Sequence, residues 1–184
     1  CWWGRGMDSA LFDLLARWAH FIAGVIWIGH NYSSVVQRPS WRPLLASDLA
    51  DASSPRLQAV INREHGTFRY ASVVAWSAGM YMLWQRGWLP DALMLKGSLA
   101  AIGLGTWIGT LMMLNLWFVL WPHQQKVLGL KPATVEERLR CSRITHLSSR
   151  TNTMLSIPLL FFMAAGSHGG VLFTNGRFAN NGLD

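Results

Sequence analysis

Charge is scarce in this 184-residue sequence: Asp, Glu, Lys and Arg make up 14% of it, against roughly 25% in an ordinary soluble domain. Cysteine is also scarce, and the two cysteines form no Cys-x-x-Cys motif, which excludes a disulfide scaffold, a zinc knuckle and a c-type haem attachment. Hydrophobic residues, by contrast, make up 51% and include 11 tryptophans. Because so little charge would have to cover a whole surface, this composition excludes a disordered chain and disfavours a soluble globule.

The few charges leave four long segments uncharged. These runs are residues 18–37, 70–85, 97–125 and 151–176. A bilayer core of about 30 Å requires about 20 mostly apolar helical residues, so three runs qualify outright, and the shorter second run qualifies if its flanking arginines snorkel. The pattern predicts an all-α integral membrane four-helix bundle that forms one domain over residues 1–184; the alternative is a helical bundle buried in a soluble protein. The predicted spans are residues 10–36, 68–88, 96–121 and 151–170.

The positive charges are divided unequally between the two ends of these spans. With four spans both termini lie on one face, which then carries five Lys and Arg residues, while the other face carries eleven. The positive-inside rule places the richer face, made of loops 37–67 and 122–150, in the cytoplasm. The sequence therefore predicts periplasmic termini and a location in a bacterial inner membrane. Such sidedness differs from the basic stripe of a nucleic-acid protein, so nucleic-acid binding is excluded.

Both predicted cytoplasmic loops contain signals for local structure. Pro55 opens a short amphipathic pattern, which predicts a helix. Its apolar residues are Leu57, Val60 and Ile61. In the second loop, Trp121-Pro122 predicts the end of the third span, and the capping box Thr134-x-x-Glu137 predicts a basic helix that continues towards the fourth.

Ionisable residues in the first span are candidates for function, because a charged or titratable group inside a bilayer is costly. Arg17, His20, Gly24, Trp27 and Asn31 are spaced by three or four residues and share one helical face. This face combines a cation, an imidazole, a glycine that leaves space beside the imidazole, and a large aromatic ring. Two interpretations stay open: the histidine is a cofactor ligand, or it is hydrogen-bonded across a helix bundle.

A second histidine favours the ligand interpretation. His168 follows the fourth span, which is antiparallel to the first, so both His20 and His168 fall in the periplasmic half. Two neutral imidazoles from two helices are what the iron of a six-coordinate haem b requires, although His168 lies closer to the interface. We therefore predict His20 and His168 as the haem iron ligands. Arg17 would pair with a propionate, Gly24 would let the macrocycle approach the helix, and Trp27 would pack on the ring.

The other histidines and the cysteines give weaker signals. His30, at the opposite end of the first span, is expected to bond to a neighbouring helix. The remaining histidines show no metal-ligand spacing and are expected in solvated loops: His65, His123 and His146. Cys1 and Cys141 fall on opposite faces and are not expected to pair, and Cys1 fits either a lipidated N-terminus or a chain that starts within a longer protein.

Small residues recur every four positions in the third span. They are Gly97, Ala101, Gly105 and Gly109. Such a face lets another helix approach closely, which favours a packing role for this span.

Three segments together resemble the membrane domain of the cytochrome c-fused, membrane-bound urate hydroxylases, the urate oxidase N-terminal domain family. They are RWAHFIAGVIWIG at 17–29, NLWFVLWPHQQKV at 115–127, and NTMLSIPLLFFM at 152–163, which His168 follows. Members of that family have more spans and a cytochrome c domain, so the resemblance implies a shortened four-helix core. The matching residues are Arg17, His20, Lys126, Asn152 and His168.

These observations lead to three hypotheses for function. The first is an electron-transfer subunit that binds haem b and works in the lipid bilayer beside other redox-complex subunits or a periplasmic cytochrome c. The second is a cofactor-free accessory subunit of a respiratory or photosynthetic membrane complex. The third, implied by the family resemblance alone, is a urate-oxidising enzyme core.

Overall fold

A computed structural model describes residues 2–35, 42–63 and 66–168, and within these ranges all regular secondary structure is helical. The α-helices are α1 (Trp2–Val35), α2 (Ala46–Ala50), α3 (Pro55–Arg63), α4 (Thr67–Gln85), α5 (Leu89–Leu93), α6 (Ala100–Leu114), α7 (Trp121–Val127) and α8 (Val135–His168). A 3₁₀ turn (Gly97–Leu99) precedes α6, and a π-helical segment (Asn115–Leu120) joins α6 to α7. The all-α prediction is therefore confirmed.

The long helices form the main body of the protein. Helix α1 packs against α4, α6 packs against α8, and further contacts join α1 to α8 and α4 to α6. Their shared core consists of Ala23, Trp27, Phe68, Ala71, Ala75, Met112, Leu116, Leu120 and Leu159. Two helical segments, Ser9–Ser33 and Gly97–Val127, are long and apolar enough to cross a membrane. The four-span arrangement and the periplasmic termini stay predictions.

A second, smaller core lies at one end of the long helices. The short helices α2 and α3 cover α7 and the first turns of α8 there, and bury Leu44, Leu49, Leu57, Val60, Val127 and Cys141. The backbone N–H of Leu44 donates to Ser142 Oγ at 2.9 Å, which ties the segment before α2 to α8. The helix predicted at Pro55 is confirmed as α3, although Ile61 on its apolar pattern is 38% exposed.

The prediction that Trp121-Pro122 ends the third long helix is wrong, because α7 continues to Val127. Proline breaks a helix by lacking an N–H and by crowding the carbonyl four residues earlier. Here the preceding π-helical segment changes the hydrogen-bond pattern, and the N–H of Trp121 bonds to the Leu116 carbonyl five residues back. Pro122 then falls in the first turn of α7, a position that tolerates proline.

Helix α8 combines the predicted loop helix and the predicted fourth span in one element. The N–H of Glu137 donates to Thr134 Oγ1 at 3.2 Å, as in one half of the predicted capping box. The Glu137 carboxylate does not complete the box, since it accepts a hydrogen bond from Lys126 Nζ. This bond lowers the pKa of Glu137 below its ordinary value. The contact fixes α7 against the start of α8.

The small-residue face of α6 is used by α8, as expected. A Cβ added at Gly105 would lie 3.0 Å from Met163 Cε, and one added at Gly109 would lie 3.6 Å from Leu159 Cδ1. The closest approach is elsewhere, at Gly103, where an added Cβ would lie 1.9 Å from the backbone oxygen of Ala92 in α5. A backbone atom cannot move aside as a side chain can, so Gly103 fixes how α5 folds back onto α6.

We predict that Gly103→Ala destabilises the protein by about 1–3 kcal/mol, because α5 must move away from α6. Gly29→Ala is the matched control, since an added Cβ there meets nothing within 4 Å. In the control, alanine is expected to be neutral or to stabilise α1 by up to about 1 kcal/mol. Unfolding of the purified variants in detergent measures both effects, and equal stability of the two variants would contradict the prediction.

Candidate functional site

His20 lies on the face of α1 that packs against α4. Its Nδ1 is 2.6 Å from the carbonyl oxygen of Ala75, and its ring lies over Gly79, where an added Cβ would be 3.0 Å from His20 Cε1. Because a carbonyl oxygen only accepts hydrogen bonds, Nδ1 carries the proton. The lone pair of the neutral ring is then on Nε2, the atom left available for a metal. Alanine in place of Gly79 would crowd the imidazole.

The other predicted residues of this face have different surroundings. An added Cβ at Gly24 meets nothing within 4 Å, so there is open space one turn along α1 from His20. Trp27 is only 4% exposed and belongs to the core, and its indole Nε1 is buried with no hydrogen-bond partner among the described residues. The face therefore offers an open position at Gly24 and an unused N–H donor at Trp27.

Arg17 is held by an ion pair rather than pointing into the protein. Its Nη2 donates to Asp13 Oδ2 at 2.5 Å, and its side chain is 63% exposed. Asp13 also accepts a bond from Arg86 Nη2 at 2.6 Å, just after the end of α4. Asp13 thus joins two arginines from two helices, and the predicted partner of Arg17, a propionate, would have to share the guanidinium with it.

His168 is the last residue of α8, and its side chain lies outside the described part of the structure. Contacts between the helices show how far the backbone of His168 lies from His20 along the helix axes. His20 contacts α4 at Ala75, the neighbouring Trp76 donates to Thr110 Oγ1 at 2.9 Å, and Gly109 lies beside Leu159. Leu159 is about two and a half turns before His168, which corresponds to about 13 Å along the helix axis. The backbone levels of the two predicted ligands therefore differ by more than two turns.

The remaining histidines are dispersed. His30 stacks on Phe68 of α4, with ring centroids 4.0 Å apart and the planes 3° from parallel, so it does contact a neighbouring helix. His123 Nδ1 lies 2.6 Å from the carbonyl of Val119 in its own helix. His65 lies outside the described residues. Over the described ranges, no group of three or more His, Cys, Asp or Glu residues is arranged to hold a metal ion.

A polar cavity of about 50 Å³ lies at the end of the long helices that α3 covers. Its polar and charged lining residues are His30, Asn31, Arg42, Gln124, Ser142, Thr145, His146, Ser149 and Arg150. Asn31 shares the helical face of His20 and Trp27, whereas the arginines come from two distant segments. Asn31 is 4% exposed, and its amide Nδ2 is buried without a partner among the described residues.

A hydrogen-bonded group of polar side chains joins α8 to the helix formed by α6 and the π segment. Asn115 Nδ2 donates to Asn152 Oδ1 at 2.8 Å and to the Ser148 carbonyl at 3.2 Å, while Ser148 Oγ donates to Asn115 Oδ1 at 3.0 Å. Asn152 Nδ2 donates in turn to the Met112 carbonyl at 3.2 Å. Asn152 is only 1% exposed, so the group is buried and internally satisfied.

We predict that Asn152→Ala destabilises the protein by about 1–3 kcal/mol, because Asn115 Nδ2 loses one of its two acceptors and the buried bond from Asn152 to the Met112 carbonyl is also lost. Thr151→Ala is the control: Thr151 is exposed and bonds only within its own helix, to the Leu147 carbonyl. The control should change stability by about 0.5 kcal/mol or less. A double-mutant cycle with Asn115→Ala measures the coupling, and additive effects of the two substitutions would refute a shared network.

Comparison with known proteins identifies a family. The model of the family described as "Urate oxidase N-terminal" matches residues 62–178, which include α4 to α8 and both members of the Asn115–Asn152 pair. Arg17 and His20 lie before the matched range. No curated protein and no solved structure matches the chain significantly. The match spans well over half of the sequence, so the chain belongs to the urate oxidase N-terminal family.

Proposed function

We propose that this protein is an integral, multi-pass protein of a bacterial inner membrane and that its four long helices each cross the bilayer. The support is the large apolar side chains that these helices expose on their outer faces. Examples are Phe12, Trp18, Phe21 and Val25 on α1, Val73 and Val74 on α4, Trp107, Leu111 and Phe118 on α6 and the π segment, and Met154, Ile157 and Phe161 on α8. Apolar surface this extensive is unfavourable in water and is stable in contact with lipid.

The orientation follows from the charges at the two ends. Eleven of the 16 Lys and Arg residues lie in residues 38–69 and 126–150, at the end of the long helices that the layer of α2 and α3 covers, whereas the opposite end carries the Asp13–Arg17–Arg86 group. The positive-inside rule therefore places the layer in the cytoplasm and both termini in the periplasm. Arg17 and Arg86 can then reach the periplasmic interface while their charges stay paired with Asp13.

Within this membrane domain, we propose that His20 is a ligand of haem b. The observation that carries the proposal is the hydrogen bond from Nδ1 to the Ala75 carbonyl. Metal-bound histidines commonly donate their second ring N–H to a carbonyl, which fixes the tautomer and increases the basicity of the coordinating nitrogen. The ring of His20 is already held in that state, with Nε2 free to coordinate iron.

The surroundings of His20 would accommodate haem b at two further positions on α1. The open space beside Gly24 would let a flat ring approach α1, and the buried indole of Trp27, about one turn further along α1, would pack on that ring. We keep His168 as the proposed second ligand and Arg17 as a propionate partner. Because His168 lies more than two turns from the level of His20, each histidine is to be tested separately.

The proposed role is electron transfer near the periplasmic face. Haem b, when bound, supplies reversible one-electron chemistry. Asp13, Arg17 and Arg86 would keep positive charge near its carboxylates, and the buried aromatic core around Trp27 would exclude water. One haem needs both an electron donor and an acceptor, so the proposal includes partners: other membrane redox-complex subunits, or a periplasmic cytochrome c.

Two other functions are weighed against this one. The close contacts at Gly103, Gly105 and Gly109 and the satisfied Asn115–Asn152 group favour a cofactor-free accessory subunit of a respiratory or photosynthetic complex, whose role is to pack. The family description also suggests a urate-oxidising core, which would show urate-dependent electron transfer in membranes.

We predict that the chain purified from haem-replete cells shows a reduced-minus-oxidised haem b spectrum and that His20→Ala abolishes it. His123→Ala is the matched control and should retain the haem, because that ring bonds only to its own helix at Val119. His168→Ala should convert the spectrum from a low-spin to a high-spin form if His168 is the second ligand, and should leave it unchanged otherwise.

A wild-type chain without haem b would rule out the electron-transfer proposal. The accessory-subunit alternative then makes its own prediction: His20→Ala is assembled normally, whereas Gly105→Leu is lost from the complex because leucine collides with Met163. Co-purification of partner subunits with each variant measures this difference.

A further inference from the structure

The imidazole of His20 lies where helix α4 has no side chain. Ala71, Ala75 and Gly79 recur every four residues in α4, and the two alanines are buried in the core that α4 shares with α1. A Cβ added at Gly79 would lie 3.0 Å from His20 Cε1 and 3.2 Å from Nδ1. No other atom from the described part of the neighbouring helices comes within 4 Å of that position. The imidazole alone therefore occupies the space that a side chain at residue 79 would need.

Glycine is otherwise unfavourable at this position. Residue 79 lies inside the 19-residue helix α4, and its φ is not in the left-handed region, so the backbone conformation there does not require glycine. Glycine inside a helix is less stable than alanine, because its backbone loses more conformational freedom on folding. What favours glycine at residue 79 is therefore the close approach of the imidazole.

The hydrogen-bond acceptor for His20 comes from the same turn of α4. The Ala75 carbonyl accepts from His20 Nδ1, and in a regular α-helix it also accepts from the N–H of residue 79. A carbonyl oxygen has two lone pairs, so it can accept both bonds. Side chains of a helix tilt towards its N-terminus, so a Cβ at residue 79 would project to the level of Ala75. The acceptor and the space beside it are thus built by one turn, from Ala75 to Gly79.

The direction of the ring depends on this turn as well. The Cβ position at Gly79 is within 4 Å of Cε1 and Nδ1 but not of Nε2, so Nε2 lies on the side of the ring farther from Gly79. A side chain at residue 79 would push Cε1 and Nδ1 away from α4. That movement would lengthen the bond from Nδ1 to the Ala75 carbonyl and would turn Nε2 out of its present direction.

We infer that Gly79 is the positioning residue for His20: because residue 79 has no side chain, the ring donates from Nδ1 to the Ala75 carbonyl, which fixes its tautomer and the direction of Nε2. The inference rests on the proposed function in one respect, since Nε2 is the nitrogen proposed to bind the haem iron. The placement of the ring belongs to the chain itself and can be measured without haem.

A double-mutant cycle on the purified full chain tests the contact independently of haem. Gly79→Ala should lower the midpoint of thermal unfolding in the wild-type background. In the His20→Ala background it should leave the midpoint unchanged or raise it, because alanine favours the helix once the imidazole is absent. Gly29→Ala is the matched control: its added Cβ meets nothing within 4 Å, so its effect should be the same in both backgrounds. An equal effect of Gly79→Ala in both backgrounds would overturn the inference.

The tautomer of His20 gives a readout that a role in packing alone would not change. In the haem-free chain, nitrogen NMR of isotope-labelled histidines in detergent should show His20 protonated at Nδ1, with its signal assigned by its loss in His20→Ala. Gly79→Val should reduce the population of this tautomer, because valine fills two of the three tetrahedral positions on Cβ and leaves no room for the ring beside Ala75. Gly79→Ala provides the same comparison if the valine variant does not fold. Variants that keep the Nδ1-protonated ring in full would overturn the inference.

With haem b bound, the same variants give a second signature. A weaker bond from Nδ1 to the Ala75 carbonyl makes the coordinating nitrogen less basic, so the oxidised iron is stabilised less. Gly79→Ala should therefore raise the reduction potential, whereas Gly29→Ala should keep the wild-type potential. An unchanged potential in Gly79→Ala would contradict a positioning role. A wild-type chain without haem b would end the haem proposal alone, because the unfolding cycle and the tautomer still decide whether Gly79 positions His20.

Discussion

The hydrogen bonds between Asn115 and Asn152 are the interaction on which the arrangement of the long helices depends. Each asparagine bonds to the other helix, through the side-chain pair and through the carbonyls of Met112 and Ser148. A buried amide without these partners would be costly, so the group permits few alternative registers of α6 against α8. That register in turn sets Gly105 beside Met163 and Gly109 beside Leu159, so that side chains of α8 pack on the small residues of α6.

Much of the fold could be predicted from the sequence because its signals are local. Uncharged runs predict helices, Pro55 predicts the start of α3, and the four-residue spacing of small residues predicts which face of α6 receives α8. Two features are not local and were missed. Pro122 is tolerated only because a π-helical segment precedes it, and Gly103 is essential only because α5 folds back onto it. Residue spacing predicts neither a change in the hydrogen-bond pattern within a helix nor the close approach of another backbone.

The same distinction applies to the sites. The shared face of His20, Gly24, Trp27 and Asn31 follows from helical periodicity, and its contact with α4 agrees with that pattern. The state of the imidazole depends on the Ala75 carbonyl, which no sequence pattern marks. The lining of the polar cavity is harder to predict, since Arg42 and Arg150 are more than 100 positions apart and line one cavity only because the segment before α2 packs on α8.

The π-helical segment has a geometric consequence for the helix that contains it. Met112, Leu116, Leu120 and Gln124 are all buried and recur every four residues. In a regular α-helix such a series drifts by about 40° at each step, so its last member would face well away from its first. The wider turn at Asn115–Leu120 removes part of this drift and keeps the four side chains nearly in line. A single helix can therefore line the core of the long helices at one end and the polar cavity at the other.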